Sequence, residues 1–426
     1  MLKLIVYSFR KYYHLYIPFL SIIFWSSYVL VHEGFFLESL FNLRYDFRPY
    51  YYAGKQILSN PSKLYEVEGY VYLPSFAILY SILFSWQPIY IVWYTHYAFN
   101  IVLAFLCVIY YDKILLELNL KRKKARLILN TFIVFGWVIY FIFYFNQAKF
   151  IVVICFFIVL KRELKYKNDN KKKDIKYYLI NFALLSFSLS ITPYFIFFVL
   201  LYIFYDIEFK KIFQKSFIIK FGLFLLVFLI ENFMFFIYPE IIFDYLKKGL
   251  TKIPQNWCQL IILREFPLSP SVINIIKILS IIIFFISIII LLNFREKLSL
   301  EKMFGYLSFI FLYFNIWKGY DTLVLIIPFI LLLFLPYLKS NDFQDPYLKK
   351  IRIISFISIL ILELEPSYNS VIFNAFPFMK NYPLVIFVYI RWLIPISILT
   401  IFYILLEIIK AKRVKNNFKE NIKKIF

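Results

Sequence analysis

The chain has little glycine, with 8 among 426 residues, and only three cysteines and three histidines. So few glycines argue against the matched broken helices of transporters and the backbone-lined filters of channels. Cys107, Cys155 and Cys258 are scattered, with no metal-ligand spacing and no evident disulfide pair. His14, His32 and His96 are equally dispersed, so neither a histidine metal site nor a cofactor is expected. No internal repeat of the inverted kind is visible. No small-residue cleavage site follows Lys3, Arg10 and Lys11, so the first apolar stretch is expected to be a retained helix, not a cleaved signal.

What the chain has in excess is apolar surface. It is 62% hydrophobic and 23% aromatic, with a mean hydropathy of +0.74. A soluble domain is about 45–50% apolar and still needs a polar skin. This chain lacks the polar residues to make one, so lipid is the solvent that fits. Acid is scarce: 25 Asp and Glu stand against 48 Lys and Arg, a net charge of +23. The cations sit in short clusters between apolar runs, where they set topology and meet anionic head groups. Nucleic acid is not an expected partner; membrane lipids are. The fold class expected is all-α, a polytopic transmembrane bundle of about 10–12 helices, each needing about 20 apolar residues to span.

The first apolar run covers residues 13–31, behind Lys3, Arg10 and Lys11, which places the N-terminus in the cytoplasm. Residues 32–72 follow as a polar segment with four basic and five acidic residues, without the cationic excess of an inner loop, and belong outside. Further apolar runs are 73–86, 89–111, 127–143, 150–160, 178–205 (one long helix or two short ones) and 217–238. A second outer segment, 239–270, precedes runs at 272–294, 303–314, 323–338, 351–362 and 384–409. The clusters 121–126, 161–176, 210–220, 295–302 and 339–352 read as cytoplasmic, as does the basic tail 410–426. Residues 1–409 therefore form one membrane domain. Two crossings at 73–86 and 89–111 would put 121–126 outside, whereas one would put it inside; the charge rule favours one, and the Gln87-Pro88 turn favours two. The location expected is a plasma membrane, with both termini cytoplasmic. The runs 150–160 and 303–314 are too short to span and suit the lining of a cavity.

The first outer segment carries the most specific pattern. It contains Asp46-Phe47, then Tyr50-Tyr51-Tyr52-Ala53-Gly54, then Leu64-Tyr65, then Tyr72-Leu73-Pro74. Tyr50, Tyr51, Tyr52, Ala53 and Ile57 trace a helix-like strip, which any interfacial aromatic belt would also show. In this order the residues resemble glycosyltransferase family 87, whose pattern runs Asp-Phe-x-x-Tyr-Tyr-x-Ala-Gly, Leu-Tyr, Tyr-Pro-Pro. Leu73 replaces the first proline of the last element. Weaker elements follow. Asn146-Gln147-Ala148-Lys149 keeps the Gln of a Gly-Gln-x-Asn motif, Thr192-Pro193 stands where Lys-x-x-Pro would, Asn256 and Gln259 precede Arg264, and Gly319-Tyr320-Asp321 precedes a Pro-containing helix. The likeness spans roughly residues 40–330.

The resemblance implies a GT-C-fold membrane enzyme that transfers a sugar, typically mannose, from a polyprenyl-phosphate donor to a glycolipid or glycan acceptor. Phosphate is a good leaving group, so the chemistry needs one base for the acceptor hydroxyl. The resemblance gives that role to Asp46, with inversion; a structural ion pair with Arg44 or Arg48 is the other reading of this carboxylate. The donor set implied is Arg48, Tyr51, Lys55, Tyr65, Gln147, Asn256, Arg264, Lys318 and Tyr320. Of these, Arg48, Lys55, Arg264 and Lys318 supply charge suited to a phosphate, and Arg264 and Lys318 suit lipid head groups as well. Arg391, inside the last apolar run, needs a partner such as Glu363 or Glu365. A transporter or channel for a small solute or lipid-linked substrate is the rival expectation.

Overall fold

The structure, a computed structural model, describes residues 2–32, 47–134, 137–144, 146–205, 215–252, 269–294, 298–314 and 327–335, with single positions at 357 and 401. Among the described residues every regular element is helical. The helices, in chain order, are α1 (Leu2–His32), α2 (Phe47–Ser59), α3 (Pro74–Leu83), α4 (Ile89–Glu117), α5 (Lys123–Phe132), α6 (Trp137–Tyr144), α7 (Lys149–Asn168), α8 (Ile175–Ile191) and α9 (Ile196–Phe204). Then come α10 (Lys215–Glu231), α11 (Met234–Ile237), α12 (Glu240–Lys252), α13 (Pro270–Asn293) and α14 (Leu300–Phe314). Short 3-10 turns stand at Pro61–Glu66 and Pro193–Phe195. Among the described residues two stretches, Lys11–Val31 and Ile89–Glu117, are long and apolar enough to cross a membrane.

Helices α1 and α4 run antiparallel, as two polar contacts fix. Near one end the Tyr97 hydroxyl donates to the Ser26 carbonyl at 2.7 Å. Near the other, Asp112 of α4 accepts from Arg126 at 2.8 Å and from Asn130 at 2.8 Å, both on α5, with His14 of α1 at 3.6 Å. Asn130 also donates to the His14 carbonyl at 3.2 Å. All four residues are buried. A charge taken out of water needs its partner held in place, so this cluster pins three helices at one height. It also places the basic stretch 121–126 at the same end as the N-terminal half of α1. Helix α3, only ten residues or about 15 Å long, is half the thickness of a hydrocarbon core. The run 73–86 is therefore one short helix and a turn.

Three helix ends share one device. Asn119, Asn146 and Asn170 have left-handed φ of 62°, 49° and 50°. After each, the next amide turns back on the helix: Leu120 N–H to Leu115 O, Gln147 N–H to Ile142 O and Lys171 N–H to Tyr166 O, each 2.9 Å. This 6→1 bond satisfies a carbonyl that the helix end would orphan. Asparagine tolerates the left-handed conformation better than other side-chain-bearing residues, so it serves where glycine usually would.

The segment 178–205 proves to be two helices. Thr192 leaves helical geometry (φ −143°), and α9 folds back beside α8, where Asn181 donates to the Tyr202 hydroxyl at 2.7 Å. The run 150–160 is longer than its apolar part: α7 continues through good helix formers to Asn168, 20 residues in all or about 30 Å. The run 303–314 lies within the 15-residue α14.

Two substitutions test this account. Asp112→Ala strands the Arg126 guanidinium in the core and is expected to cost about 3–5 kcal/mol, read as a large fall in thermal midpoint in detergent. Asn119→Gly should hold or raise that midpoint, while Asn119→Val, forced into left-handed geometry, should cost about 1–2 kcal/mol.

Candidate functional site

Helix α2 carries the first motif and buries one face: Phe47, Tyr50, Tyr51, Ala53, Gly54 and Ile57. Pro49 sits in the first turn, where no amide is needed. The Ala53-Gly54 pair lets α2 lie closely on α3. A Cβ on Gly54 would stand 2.1 Å from Ser85 Oγ and 3.0 Å from the Ser81 nitrogen. Ser85 Oγ is itself placed within reach of the Tyr51 carbonyl at 3.2 Å and the Tyr80 carbonyl at 3.3 Å.

The other motif elements converge on Tyr72, which precedes α3. The Tyr50 and Tyr72 hydroxyls are 3.1 Å apart. Tyr65 donates to the Tyr72 carbonyl at 2.9 Å, and Tyr70 to the Leu73 carbonyl at 2.8 Å. The Tyr50 ring meets those of Tyr72 and Phe76 edge-on at 5.1 Å, Tyr80 at 5.7 Å and His96 at 6.2 Å. Lys149, the first residue of α7, is buried and holds its ammonium 5.6 Å from the Tyr72 ring centre. A cation over an aromatic face is attracted by the ring quadrupole. Its position at a helix N-terminus adds positive potential to the same place.

A polar layer lies against the start of α3. The Leu73 amide donates to the Ser190 carbonyl of α8 at 2.9 Å. Ser75 Oγ hydrogen-bonds Ser190 Oγ and, at 3.0 Å, the Asn232 amide oxygen beyond the end of α10. The two segments expected outside also meet: Lys248 of α12 donates to the Val67 carbonyl at 3.0 Å, and the Tyr245 and Tyr65 rings are 5.5 Å apart. Burial, then the neighbouring Tyr70 and Tyr245, pushes the Tyr65 phenol well above its ordinary range. Burial pushes Tyr245 up to about 12. Both stay neutral at working pH, and Tyr65 serves as a donor to the Tyr72 carbonyl.

The structure gathers some of the expected residues and separates others. Tyr65 reaches Tyr72, and buried Gln147 stands two residues before Lys149 at the same helix start. Tyr51 instead donates to the Gln87 carbonyl at 3.0 Å, with Lys55 over its ring at 4.7 Å. Arg48 lies 5.8 Å from the ring of Tyr52. At 100° per residue, Arg48, Tyr52 and Lys55 share the face of α2 opposite Tyr50. Asp46, Asn256, Arg264, Lys318 and Tyr320, with Arg391 and the tail 410–426, lie outside the described residues. Lys149 was not among the residues expected from sequence. Its signal was there, a lone cation opening an apolar helix two positions after Gln147. Asn146, just before Gln147, takes a left-handed conformation with φ 49°.

Gly54→Ala tests the close approach. Alanine gains up to about 1 kcal/mol of helix propensity over glycine, but the overlap with Ser85 is expected to outweigh it by about 1–3 kcal/mol, seen as a lower thermal midpoint that Gly54→Ala/Ser85→Gly recovers in part.

No family model matches this chain, and neither a curated protein nor a solved structure matches it.

Proposed function

We propose that this chain is a multi-pass plasma-membrane glycosyltransferase. It moves a sugar, mannose by the resemblance, from a polyprenyl-phosphate donor to a glycolipid or glycan acceptor on the outer face, with inversion. Both termini are cytoplasmic in this reading, so residues 32–72 and 239–270 face outward. The contact between those two segments, through Tyr65, Tyr245 and Lys248, supports a common side.

The observation that carries the proposal is the convergence of the motif on one point. Tyr50, Tyr65 and Tyr72, up to 22 positions apart, are joined by hydrogen bonds of 2.9–3.1 Å beside a buried lysine. An aromatic belt explains interfacial tyrosines but not their hydrogen bonding to one another beside a buried cation.

In the proposed reaction Asp46, one helical turn before Tyr50 in sequence, removes the proton from the acceptor hydroxyl as the oxygen attacks the anomeric carbon. The bond to the phosphate oxygen breaks, and polyprenyl phosphate leaves as an anion. One carboxylate suffices because the leaving group needs no proton; an inverting hydrolase would need a second, with room for water. Lys149 and the first turn of α7 are suited to the growing phosphate charge, with Arg264 and Lys318 as further cations. Tyrosine rings offer the sugar apolar faces with polar tips, and the polyprenyl tail runs into lipid.

The test is incubation of the purified chain with a panel of labelled polyprenyl-phosphate sugars. Transfer from one donor is expected, falling about 10²–10⁴-fold in Asp46→Asn with the fold retained. Lys149→Met should lower turnover as well. No transfer from any donor, or full activity in Asp46→Asn, would overturn the assignment.

A further inference from the structure

A cavity of about 440 Å³ opens far from the Tyr72 cluster, between the C-terminal turns of α7, the link to α8, the end of α9 and the start of α14. Its floor is apolar, with Leu160, Leu164 and Leu300, while Lys167, Lys171 and Lys173 stand along its wall. The Asn170 turn shapes that wall. By sending the Lys171 amide back to Tyr166 O, it brings the chain around the helix end, so that Lys173 reaches Glu163 on the same helix at 2.6 Å.

Two carboxylates also line the cavity, and both are engaged. Glu163 accepts from Tyr202 at 2.6 Å on one oxygen and pairs with Lys173 on the other. Glu301 accepts from the Ser299 hydroxyl. Lys171 pairs at 2.8 Å with Asp169, but both side chains are exposed, and such pairs are weak and exchange readily. Lys167 makes no ion pair among the described residues. Two lysines therefore remain to meet an anion above an apolar floor. Most of the lining falls in the stretches 161–176 and 295–302, basic clusters that the charge pattern puts in the cytoplasm.

We propose that this cavity binds a phosphate ester bearing an apolar arm, the chemistry of an anionic phospholipid head group at the cytoplasmic leaflet. Basic pockets between membrane helices on that side suit such head groups. The proposal rests on the membrane-embedded reading above and not on the sugar-transfer chemistry.

The experiment is native mass spectrometry on the delipidated full chain, offered nanodiscs of phosphatidylcholine with a minor share of phosphatidic acid. Wild type is expected to retain phosphatidic acid in preference to phosphatidylcholine. Lys167→Ala/Lys171→Ala should reduce that retention by about tenfold or more. Lys165→Ala/Lys176→Ala removes the same charge from exposed positions of the same stretch that do not line the cavity, and should leave retention near wild type. Circular dichroism confirms folding of each variant. Competition by soluble glycerol phosphate would assign the site to a soluble phosphate ester, and its absence to lipid; either supports the phosphate site. Equal retention of phosphatidylcholine, or equal losses in both double variants, would overturn it. Donor turnover is read in a separate assay, so failure here leaves the transferase proposal standing, and the reverse.

Discussion

A chain this apolar must close its helix ends with its own groups, because neither lipid nor a greasy core offers partners for an orphan carbonyl. Asparagine in left-handed geometry does this at three bends, and each bend aims something. Asn119 turns α4 toward the basic stretch that supplies Arg126. Asn146, whose side chain also spans to Asn100 and the Trp93 carbonyl at 3.0 Å, sets the start of α7 and with it Gln147 and Lys149. Asn170 carries Lys171 and Lys173 over the cavity. The Tyr72 cluster and the lysine-lined cavity thus sit at opposite ends of one helix, α7, and depend on the same kind of cap.

Buried polarity in this bundle is grouped. Asp112, Arg126, His14 and Asn130 form one knot; Ser75, Ser190 and Asn232 form another; Glu163, Tyr202, Asn181 and Arg162 form a third, with Arg162 donating to Asn181 at 2.8 Å. Apolar packing alone would let helices slide or rotate past one another. A satisfied polar knot is correct at only one height, since any slip leaves a buried donor or acceptor unmade at about 1–3 kcal/mol. The first two knots join helices distant in sequence, and the third ties the consecutive α7, α8 and α9.

Much of this was legible beforehand. Apolar runs and basic clusters marked most helices, because lipid-like burial and charge placement act on composition that any reader can count. The α2 motif was legible because helical periodicity put Tyr50 and Ile57 on one face. What stayed hidden was set by tertiary contact. The ten residues of α3 are as apolar as part of a spanning helix, and only its packing against α2 shows how short it is. The polar end of α7 looked like a loop because Lys and Glu serve helices and loops alike. Arg48, Tyr51 and Lys55 are neighbours of Tyr50 in sequence but not in direction, a distinction that proximity in a motif cannot make. Lys149 was visible as a letter, but its burial was not.

The close fit of Gly54 against Ser81 and Ser85 has a mechanical consequence for the layer that carries the tyrosines. With a hydroxyl and a backbone amide this near, α2 has no room to slide along α3 without collision. The chain between α2 and α3 meets α12 through the tip of Lys248 and a tilted pair of tyrosine rings. The start of α3 is tied as well to α8 and to Asn232, through the Leu73 amide and Ser75, so the layer that carries the tyrosines is held at one depth in the bundle.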